Sequence, residues 1–410
     1  MTRILLFISL FGLFTASGYL CLVLVACLRF AWRKLARPVR RMEKLPAVSV
    51  MKPLHGFEPE LRRNLESFFQ QDYPEFELIF CARQDSDPAL TLAREIASRY
   101  PQVNTRFLTS GPPRFANAKV ASLERMSAIA RYDLFVISDS DVCVAPNYLQ
   151  EVVQPLSDPR VSLVTCAYRG VTRFGFVAQL DAAGKTVEMT SGVLVADMLE
   201  GMKFALGPTM VTRRETIRQA GGFDELGRYY ADDFVLGNNL ARQGKKVVLS
   251  DHIIELAIVD PGFWGSVSNQ LRWARSTRHS RALGHLGSGL TYAAPFGLLG
   301  LAWGVRTGHP LLGLGLLGLA VGNRMLQAWA VTTWVVRSRQ WLRTTLIYPV
   351  RDLLGFCIWV ASYLGSDMRW RGERYTFKAG GRIEKVAVPA PIPDFDPNTS
   401  PAMDALRNRP

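Results

Sequence analysis

Cysteine is scarce in this sequence. There are six cysteines among 410 residues, and no two of them stand at the short paired spacing of a zinc site. Cys21, Cys27 and Cys357 fall in apolar stretches, where a structural disulfide is not expected. Internal repeats are also lacking, which excludes an architecture built from sequence repeats. We therefore expect neither a disulfide framework nor a zinc centre.

Charged residues make up only 20% of the chain against 48% hydrophobic residues, and residues 4–28 contain none. A helix of this length crosses a hydrocarbon core of about 30 Å. We predict an N-terminal transmembrane helix within residues 1–31. A cleaved signal peptide is the alternative, because Leu24-Val25-Ala26-Cys27 resembles a lipoprotein cleavage box. The apolar run is, however, about twice the length of a signal core.

Basic residues follow the first predicted helix, whereas only Arg3 precedes it. They are Arg29, Arg33, Lys34, Arg37, Arg40, Arg41 and Lys44. By the positive-inside rule the N-terminus lies outside and the next domain is cytoplasmic. We predict a multi-pass integral protein of the bacterial inner membrane. The net charge of +14 clusters beside the predicted spans, which favours anionic lipid headgroups over nucleic acid as the partner.

A second apolar block occupies residues 284–366. We predict a helical hairpin over 286–305 and 311–336, with the following basic stretch returned to the cytoplasm. Residues 344–365 carry Arg351 and Asp352, so this segment either spans the membrane or lies re-entrant or interfacial. Arg324 is expected to face protein or a headgroup, because an arginine is costly among acyl chains. We predict that residues 367–410 form a basic and disordered tail that faces the cytoplasm, because the stretch from about Ala387 is rich in proline and polar residues.

Between residues 45 and 283, short apolar runs alternate with amphipathic stretches, which predicts a soluble α/β domain with a mostly parallel sheet. The predicted strands are Val48–Lys52, Phe76–Ala82, Asn104–Leu108, Leu134–Ser138 and Ser162–Cys166. The predicted helices are Pro59–Gln70, Pro88–Arg99, Lys119–Ala130 and Asn147–Leu156. Ligands bind beyond the carboxyl ends of such strands. Polar clusters lie there at 52–56, 83–88, 117–119 and 138–141.

Two carboxylates, Asp139 and Asp141, follow the apolar strand Leu134-Phe-Val-Ile137. Carboxylates and phosphate oxygens together hold hard divalent cations, so this D-x-D pair is a candidate metal site for a nucleotide diphosphate. An Asp pair after a strand is also common in turns and helix caps.

Two further carboxylates, Asp232 and Asp233, precede a helical pattern. They would cap that helix and complement its dipole. Displacement at a sugar carbon also needs a general base for the acceptor proton, and a carboxylate at the sheet rim suits that role. Asp233 is the candidate base.

The stretch Gln270-Leu-Arg272-Trp273 comes shortly before the second apolar block. Arg272 and Trp273 are compatible with an interfacial cation and an aromatic belt. A planar guanidinium also suits a leaving diphosphate, with Trp273 as the wall of an acceptor pocket. Position alone does not separate the two interpretations.

The order of these motifs resembles that of the ceramide glucosyltransferase family. The resemblance covers roughly residues 46–382. It is carried by Val48-Ser-Val-Met-Lys-Pro-Leu-His-Gly56, Asn64-Leu-Glu-Ser-Phe-Phe69, Gln71-Asp-Tyr-Pro74, Asp87-Pro-Ala89, Asp139-Ser140, Gly221-Gly222, Asp233, Arg272-Trp273 and Trp370-Arg-Gly-Glu-Arg-Tyr375.

This resemblance implies a GT-A type, Rossmann-like fold, a UDP-sugar donor, Mg²⁺ or Mn²⁺, inversion at the anomeric carbon and a membrane lipid acceptor. It further implies site roles for the residues that match the motifs. Asp139 would serve the metal and donor, Asp233 would be the base, and Arg272 and Trp273 would lie at the donor and acceptor site with Asp232 and Gln270. Lys52, Asp85, Asp87 and Lys119 would lie at the donor.

The sequence departs from the family pattern in three places. Gln84 stands where the family usually has Asp, with Asp85 one place later, which leaves the uridine contact of Asp85 open. Asn269 replaces the Gln or Arg that precedes the R-W pair, with Gln270 adjacent. Ala121 and Ser122 replace the asparagines that often follow the lysine at 119.

Within the enzyme interpretation, transfer of glucose from UDP-glucose to ceramide competes with transfer of N-acetylglucosamine to a hopanoid polyol. Bacterial relatives with the second role share these motifs, and Tyr168-Arg-Gly170 looks somewhat like that group. A processive polysaccharide synthase is disfavoured, because only three or four spans are available for a channel. The non-enzyme alternative is a catalytically inactive membrane scaffold, which Gln84 and Asn269 would suggest.

Overall fold

The computed structural model describes residues 2–36, 42–173 and 175–386. Arg37, Arg40, Arg41 and the predicted disorder from Ala387 therefore lie outside the described residues. The helices are α1 Thr2–Ala36, α2 Leu61–Phe69, α3 Pro88–Ala97, α4 Ala118–Ile129, α5 Tyr148–Val153, α6 Phe176–Ala183, α7 Met189–Glu200, α8 Arg214–Gln219, α9 Gly222–Leu226, α10 Asp232–Arg242, α11 Gly262–Ser280, α12 Ala282–Ser288, α13 Ala294–Arg306, α14 Pro310–Ala330 and α15 Trp341–Ser362. The strands are β1 Val48–Pro53, β2 Phe76–Ala82, β3 Asn104–Thr109, β4 Leu134–Ile137, β5 Val142–Cys143, β6 Val161–Val171, β7 Met210–Arg213, β8 Lys246–Ala257, β9 Asp367–Trp370, β10 Glu373–Phe377 and β11 Ile383–Lys385.

Short turns of other helix types complete the backbone. Residues Gln154–Ser157, Gly289–Thr291 and Ala379–Gly381 form 3₁₀ turns, and Gly184–Glu188 and Val331–Val335 form π-helical turns. The first π turn joins α6 to α7, and the second extends α14. Such turns are often found at functional sites.

The first four strands form a parallel unit in the spatial order β3-β2-β1-β4. Strands β1 and β4 are buried along their whole length, as expected for parallel strands covered by helices on both faces. The predictions for these strands are confirmed. The carboxyl ends of β1 and β4 lie side by side because Met51 pairs with Ile137.

The second half of the eight-stranded sheet is mixed. Strand β7 inserts antiparallel between β4 and β6, β8 runs parallel to β6, and β5 closes the far edge antiparallel to β8. The predicted strand at Ser162–Cys166 is confirmed, although β6 is longer. Strands β7 and β8 were not predicted, because β7 is only four residues long and β8 is interrupted by polar residues such as Asp251 and His252.

Three helices of the described chain are long and apolar enough to cross a membrane: Thr2–Arg33, Pro310–Val335 and Trp341–Ser362. The predicted continuous helix over 286–305 is wrong, since this arm of the hairpin is divided into the end of α12, a 3₁₀ turn and α13. Helix α13 has only 13 residues, about 20 Å at the usual rise. The chain breaks before α13, where the backbone N–H groups of Ala293 and Ala294 donate to Asp352 Oδ2 at 2.9 and 2.8 Å. A buried carboxylate thus caps the shorter helix.

The prediction that Arg324 faces protein is confirmed. Its side chain is 2% exposed, and Nη1 donates to the Thr291 carbonyl oxygen at 2.8 Å and to Asp352 Oδ1 at 3.2 Å. Nε donates to Asn323 Oδ1 at 3.0 Å. We call these four residues the Arg324 cluster. The guanidinium is paired and well bonded, which is the condition for burying a charge between membrane helices.

The membrane helices dock on the soluble domain. In α1, Arg33 bonds Asp197 at 2.7 Å and Asp251 at 3.1 Å. Before α15, the Val336 carbonyl oxygen accepts from Arg169 Nη1 at 3.0 Å, and after it the Gly365 carbonyl oxygen accepts from Arg278 Nη2 at 2.9 Å. Both ends of α15 therefore contact the same domain. Its opposite side exposes an apolar stripe of Leu342, Leu346, Val350, Val360 and Leu364.

Residues 367–385 are ordered, which corrects the prediction of a tail without structure from residue 367. They form the antiparallel sheet β9-β10-β11. Met368, Tyr375, Phe377 and Ile383 bury a small apolar core against Tyr230. The Ile383 N–H donates to the Arg228 carbonyl oxygen at 2.9 Å. The alternation of apolar and polar residues over 373–377 is the strand signal that the basic composition obscured.

Candidate active site

The D-x-D loop begins where β4 ends. The Ser138 N–H donates to the Met51 carbonyl oxygen at 3.1 Å, which fixes the loop beside the end of β1. Lys52 is fully buried beneath it. Its Nζ donates to the Asp139 carbonyl oxygen and lies 3.8 Å from the centre of the Phe68 ring. Burial lowers the pKa of Lys52 to about 7. In this structure Lys52 supports the loop from below.

Lys119 joins the D-x-D loop to the Asp pair. Asn117 caps α4 by accepting from the Lys119 and Val120 N–H groups at 3.0 and 3.3 Å, so the Lys119 side chain starts from a fixed first turn. Its Nζ lies 2.7 Å from Asp139 Oδ1 and 3.8 Å from Asp232 Oδ2. One ammonium therefore lies between two carboxylates from distant parts of the chain.

The Asp pair opens α10. Asp232 is buried and accepts from Asn117 Nδ2 at 3.3 Å. Asp233 Oδ1 accepts from the Phe234 N–H at 2.8 Å, and Oδ2 accepts from the Gly207 N–H at 2.5 Å. Burial, followed by the negative charge of Asp232, raises the pKa of Asp233 to about 6. Such a carboxylate is ionised at neutral pH but is a stronger base than an exposed one.

Gly207 marks the point where these groups converge. A side-chain carbon built on it would lie 3.1 Å from Asp233 Oδ2, 3.4 Å from Lys119 Nζ and 3.6 Å from Asp139 Oδ2. The fold thus brings the predicted residues Lys119, Asp139 and Asp233 together. We call Lys119, Asp139, Asp232 and Asp233 the rim. The glycine leaves this space open, and its only sequence signal is a turn at Gly-Pro.

Asp141 is the second carboxylate of the D-x-D pair. Its Oδ1 is buried and has no hydrogen-bond partner among the described residues, and burial, then the charge of Asp139, raises the pKa of Asp141 to about 7. No group of three or more His, Cys, Asp or Glu side chains suited to a metal occurs in the described ranges. Mg²⁺ commonly uses one or two carboxylates plus substrate phosphates, so Asp139 and Asp141 fit a cation shared with a diphosphate.

Asp85 and Asp87 form their contacts with residues outside the rim. The Asp85 side chain is 73% exposed and pairs with Arg94, whose hydrogen bond lowers the pKa of Asp85. Asp87 caps α3 by accepting from the Ala89 N–H at 2.9 Å, and it also accepts from the Gly56 N–H at 3.1 Å. Neither carboxylate is among the groups that converge on Gly207.

The R-W motif lies on α11. Arg272 Cζ is 5.7 Å from the centre of the Tyr230 ring, and its buried Nε has no partner within the part of the chain that the structure describes. Lys185 Nζ lies 5.1 Å from the centre of the Trp273 ring. Gln270 Nε2 donates to Ser266 Oγ at 2.9 Å. The motif therefore contacts Tyr230, which precedes the Asp pair, and Lys185 of the π turn.

Arg371 is a site residue that sequence reasoning missed. It occupies the β9–β10 turn at φ 51°, followed by Gly372 at φ 81°, and the neighbouring Trp370 ring packs 5.1 Å from the Tyr230 ring. Its side chain is exposed. Nevertheless, the surrounding protein lowers the pKa of Arg371, while the charge of Asp139 acts in the opposite direction. Its Cζ lies 5.6 Å from the centre of the Trp370 ring, so the β9–β10 turn places this cation beside Trp370 and Tyr230. The available signal was the Trp370–Tyr375 motif.

Comparison with known proteins gives a family. Residues 13–383 match the model of Glycosyl transferase family 21. Similar relatives include Ceramide glucosyltransferase 1 of Caenorhabditis elegans, 29% identical over 59% of this chain and 53% of the relative. Another is the Ceramide glucosyltransferase of Komagataella phaffii, 34% identical over 28% of this chain and 23% of the relative. The chain spans about half the length, or less, of the curated relatives it matches.

Among solved structures, a mannosyltransferase from Pyrobaculum calidifontis, in complex with GDP-Man and Mn²⁺, is similar with a TM-score of 0.51. It is 18% identical, and the match covers 87% of this chain and 99% of the other. At this identity the likeness concerns the fold. The predicted GT-A type fold is confirmed.

Proposed function

The chain belongs to glycosyl transferase family 21, and from this membership we propose that it transfers a hexosyl group from a UDP-sugar to a hydroxyl of a membrane lipid. The favoured pair is UDP-glucose and ceramide, since the relatives described above are ceramide glucosyltransferases. The observation that carries the proposal is the convergence of Lys119, Asp139 and Asp233 around Gly207. The residue proposed to bind the donor, Asp139, and the proposed general base, Asp233, therefore lie close together.

Asp233 is proposed as the general base of an inverting displacement. The acceptor oxygen attacks the anomeric carbon, its proton passes to Asp233, and the bond from that carbon to the diphosphate oxygen breaks as UDP leaves. The two backbone N–H bonds to Asp233 hold its carboxylate in one orientation. Each carboxylate oxygen has more than one acceptor direction, so a substrate hydroxyl can still bond to it.

The donor is proposed to lie over the D-x-D loop. A divalent cation, Mg²⁺ or Mn²⁺, would be held by Asp139 and Asp141 and would neutralise the charge of the leaving diphosphate. Lys119 balances the carboxylates on the other side of the rim. Arg272 and Arg371 are proposed as further cations for the diphosphate, because both guanidinium groups lie at Tyr230 and Trp370 beside the cleft. Guanidinium groups match phosphate geometry well.

The acceptor is proposed to arrive from the bilayer. Trp273 lies on α11, and that helix exposes Trp264 at its start. The short helices α12 and α13, and then the long apolar helices α14 and α15, follow in the chain. A lipid whose hydroxyl lies at the headgroup plane would reach the rim without leaving the membrane, whereas a soluble sugar would gain nothing from this arrangement.

The topology follows as a proposal. Both flanks of α15 contact the soluble domain, and β9–β11 pack on that domain as well. We infer that the arm containing α13 and the helix α14 cross the membrane as a pair, and that α15 lies along the interface with its apolar stripe toward lipid. Residues 45–283 and 367–386 then share the cytoplasmic side. In a cysteine-free background, Lys378→Cys should react with an impermeant maleimide only after permeabilisation, whereas Thr307→Cys in the hairpin should react in intact cells. Labelling of position 378 in intact cells would contradict this topology.

Two alternatives have less support. The segment that suggests a hopanoid acceptor, Tyr168-Arg-Gly170, lies in β6, where Arg169 bonds Glu255 at 2.8 Å and the Val336 carbonyl oxygen. These contacts are internal to the protein. An inactive scaffold would not require a buried carboxylate such as Asp233, whose pKa is raised toward neutrality, near a lysine that pairs with two aspartates.

The proposed function is tested by offering purified protein in lipid nanodiscs a matrix of substrates. The donors are UDP-glucose, UDP-galactose and UDP-N-acetylglucosamine, and the acceptors are ceramide, a hopanoid polyol and a soluble sugar. We expect a glucosylated ceramide of inverted anomeric configuration, identified by mass spectrometry and NMR. Transfer to the soluble sugar alone would overturn the assignment, and transfer of N-acetylglucosamine to the hopanoid would establish the alternative.

A further inference from the structure

A second polar cluster lies between the soluble domain and the membrane helices. Arg351 of α15 donates from Nη2 to Glu188 Oε2 at 2.9 Å, and Tyr292 donates from its hydroxyl to Glu188 Oε1 at 3.1 Å. We call these three residues the Arg351 cluster. Glu188 ends the π turn after α6 and its side chain is 40% exposed, whereas Arg351 is 9% exposed. The cluster is therefore open at its carboxylate and closed around its cation.

Only one nitrogen of the Arg351 guanidinium, Nη2, has a hydrogen-bond partner among the described residues. Its Nε and Nη1 are buried and find no hydrogen-bond partner among the residues that the structure describes. Burying guanidinium N–H groups without acceptors is costly. An ionisable side chain at such a position in a membrane protein points to a functional site.

Glycines shape the space around this guanidinium. A side-chain carbon on Gly184 would lie 2.1 Å from Arg351 Nε, so only glycine admits the arginine there. A side-chain carbon on Gly355 would lie 3.3 Å from Arg351 Nη1, 3.4 Å from Glu188 Oε2 and 3.0 Å from Tyr292 Cε1. Gly355 thus leaves one face of the ion pair without side-chain cover.

The cluster is linked to the active site through the π turn. Lys185 precedes Glu188 by three residues, about one helical turn, and its Nζ lies over Trp273 and 3.6 Å from Asp181 Oδ2. The same π turn therefore contacts the Trp273 ring through Lys185 and the Arg351 guanidinium through Glu188.

We propose that the Arg351 cluster binds the polar head of the lipid acceptor. Glu188 accepts a hydroxyl or amide proton of the head, and Arg351 donates from Nη1, on the face that Gly355 leaves without side-chain cover, to its carbonyl or hydroxyl oxygen. The charges of Arg351 and Glu188 cancel, so the site suits an uncharged amide alcohol. A lipid phosphate would bring an unbalanced negative charge beside Glu188. This inference rests on the proposed function and adds the residues that select the acceptor.

The experiment separates acceptor binding from the rest of the reaction. The Arg351→Gln variant is compared with Arg343→Gln, the same change on the exposed side of the same helix. Equilibrium binding of a fluorescent short-chain ceramide is measured on each purified protein in nanodiscs, together with KM for donor and acceptor and the hydrolysis of UDP-glucose without acceptor. We expect Arg351→Gln to raise the ceramide Kd and the acceptor KM about tenfold or more. Donor KM and hydrolysis should stay within about twofold of the wild-type values.

Two further variants keep the proposal testable if Arg351→Gln folds poorly. Gly355→Ala places a methyl group against Nη1 and should weaken ceramide binding without removing a charge. Glu188→Gln should improve binding of ceramide phosphate relative to ceramide about tenfold, because the repulsive carboxylate is lost. Equal ceramide Kd values for wild type, Arg343→Gln, Arg351→Gln and Gly355→Ala would overturn the proposal. Arg351-dependent binding without any lipid transfer would instead support the site and overturn the proposed function.

Discussion

The Arg324 cluster and the Arg351 cluster lie in the same block of membrane helices but differ in how completely the arginine is bonded. Arg324 donates to a carbonyl oxygen, an amide oxygen and a carboxylate, and that carboxylate also caps α13. Arg351 has one carboxylate partner and two unpartnered nitrogens among the described residues. A fully bonded buried charge stabilises a fold. A partly bonded one beside an active site is better suited to a ligand.

The soluble domain shows the same contrast between carboxylates. Asp87 accepts from two backbone N–H groups of neighbouring elements and has the bonding of a cap. Asp141 leaves a buried oxygen without a partner in the described part of the chain. The degree of bonding, more than the residue type, thus separates structural groups from candidate functional groups in both regions.

The largest effect is expected at Asp233. The Asp233→Asn variant should lower kcat by about 10²- to 10⁴-fold, because a general base is lost while the backbone N–H bonds can still hold the side chain. Donor binding, measured by calorimetry, should remain nearly intact. The matched control is Asp224→Asn, an exposed carboxylate in the first turn of α9. Near-normal turnover in Asp233→Asn would make this residue a helix cap.

Substitution of Arg324 should lower the stability of the protein. Arg324→Met leaves the Asp352 carboxylate buried without its cation, which typically costs about 3–5 kcal/mol. Thermal unfolding in detergent measures this loss. The double variant Arg324→Met, Asp352→Asn should be less destabilised than Arg324→Met, because no buried charge remains and the amide oxygen can still cap α13. A single variant as stable as wild type would remove the distinction between the two arginine clusters.

A smaller effect is expected at the D-x-D loop. Asp139→Ala should weaken metal-dependent UDP-sugar binding by about tenfold or more, because a hard cation loses one of two protein carboxylates. Calorimetry with and without Mg²⁺ measures it. Asp133→Ala is the control, since Asp133 lies just before β4 as Asp139 lies just after it, and its side chain is 84% exposed. Equal donor affinity of wild type with and without metal would defeat the cation assignment.

The smallest expected effect is a shift of the acidic limb of the pH–rate profile to higher pH. Because the pKa of Asp233 is raised to about 6, its basic form is lost as the pH falls through 6. The value of kcat/KM should be halved near that pH and fall about tenfold per unit below it. Donor-saturated rates between pH 5 and 8 measure the limb. A limb near pH 4 would indicate an ordinary, solvated carboxylate.

Much of the first half of the soluble domain could be predicted, since β1, β2 and β4 are short, mostly apolar runs and amphipathic helices separate the strands. Strand β7 could not, because its four residues acquire their partners only from β4 and β6. The predicted arm at 286–305 failed because Asp352, far along the chain, caps a helix that starts at Ala294. The strands within residues 367–385 were not predicted, because the basic composition of this segment favoured a disordered tail. In the structure its apolar side chains pack against Tyr230 and order it.

Local sequence is enough to identify the chemical types at the site and the elements that carry them. Asp139 had to follow a buried strand and Asp233 had to lie at the start of a helix, because hydrophobic periodicity fixes such elements locally. Which charges are fully bonded depends instead on the packing of distant segments. Arg324 and Arg351 both stand in apolar helices, but their carboxylate partners lie 28 and 163 residues away. The number of acceptors around a buried cation depends on how distant segments pack, and local sequence does not encode that packing.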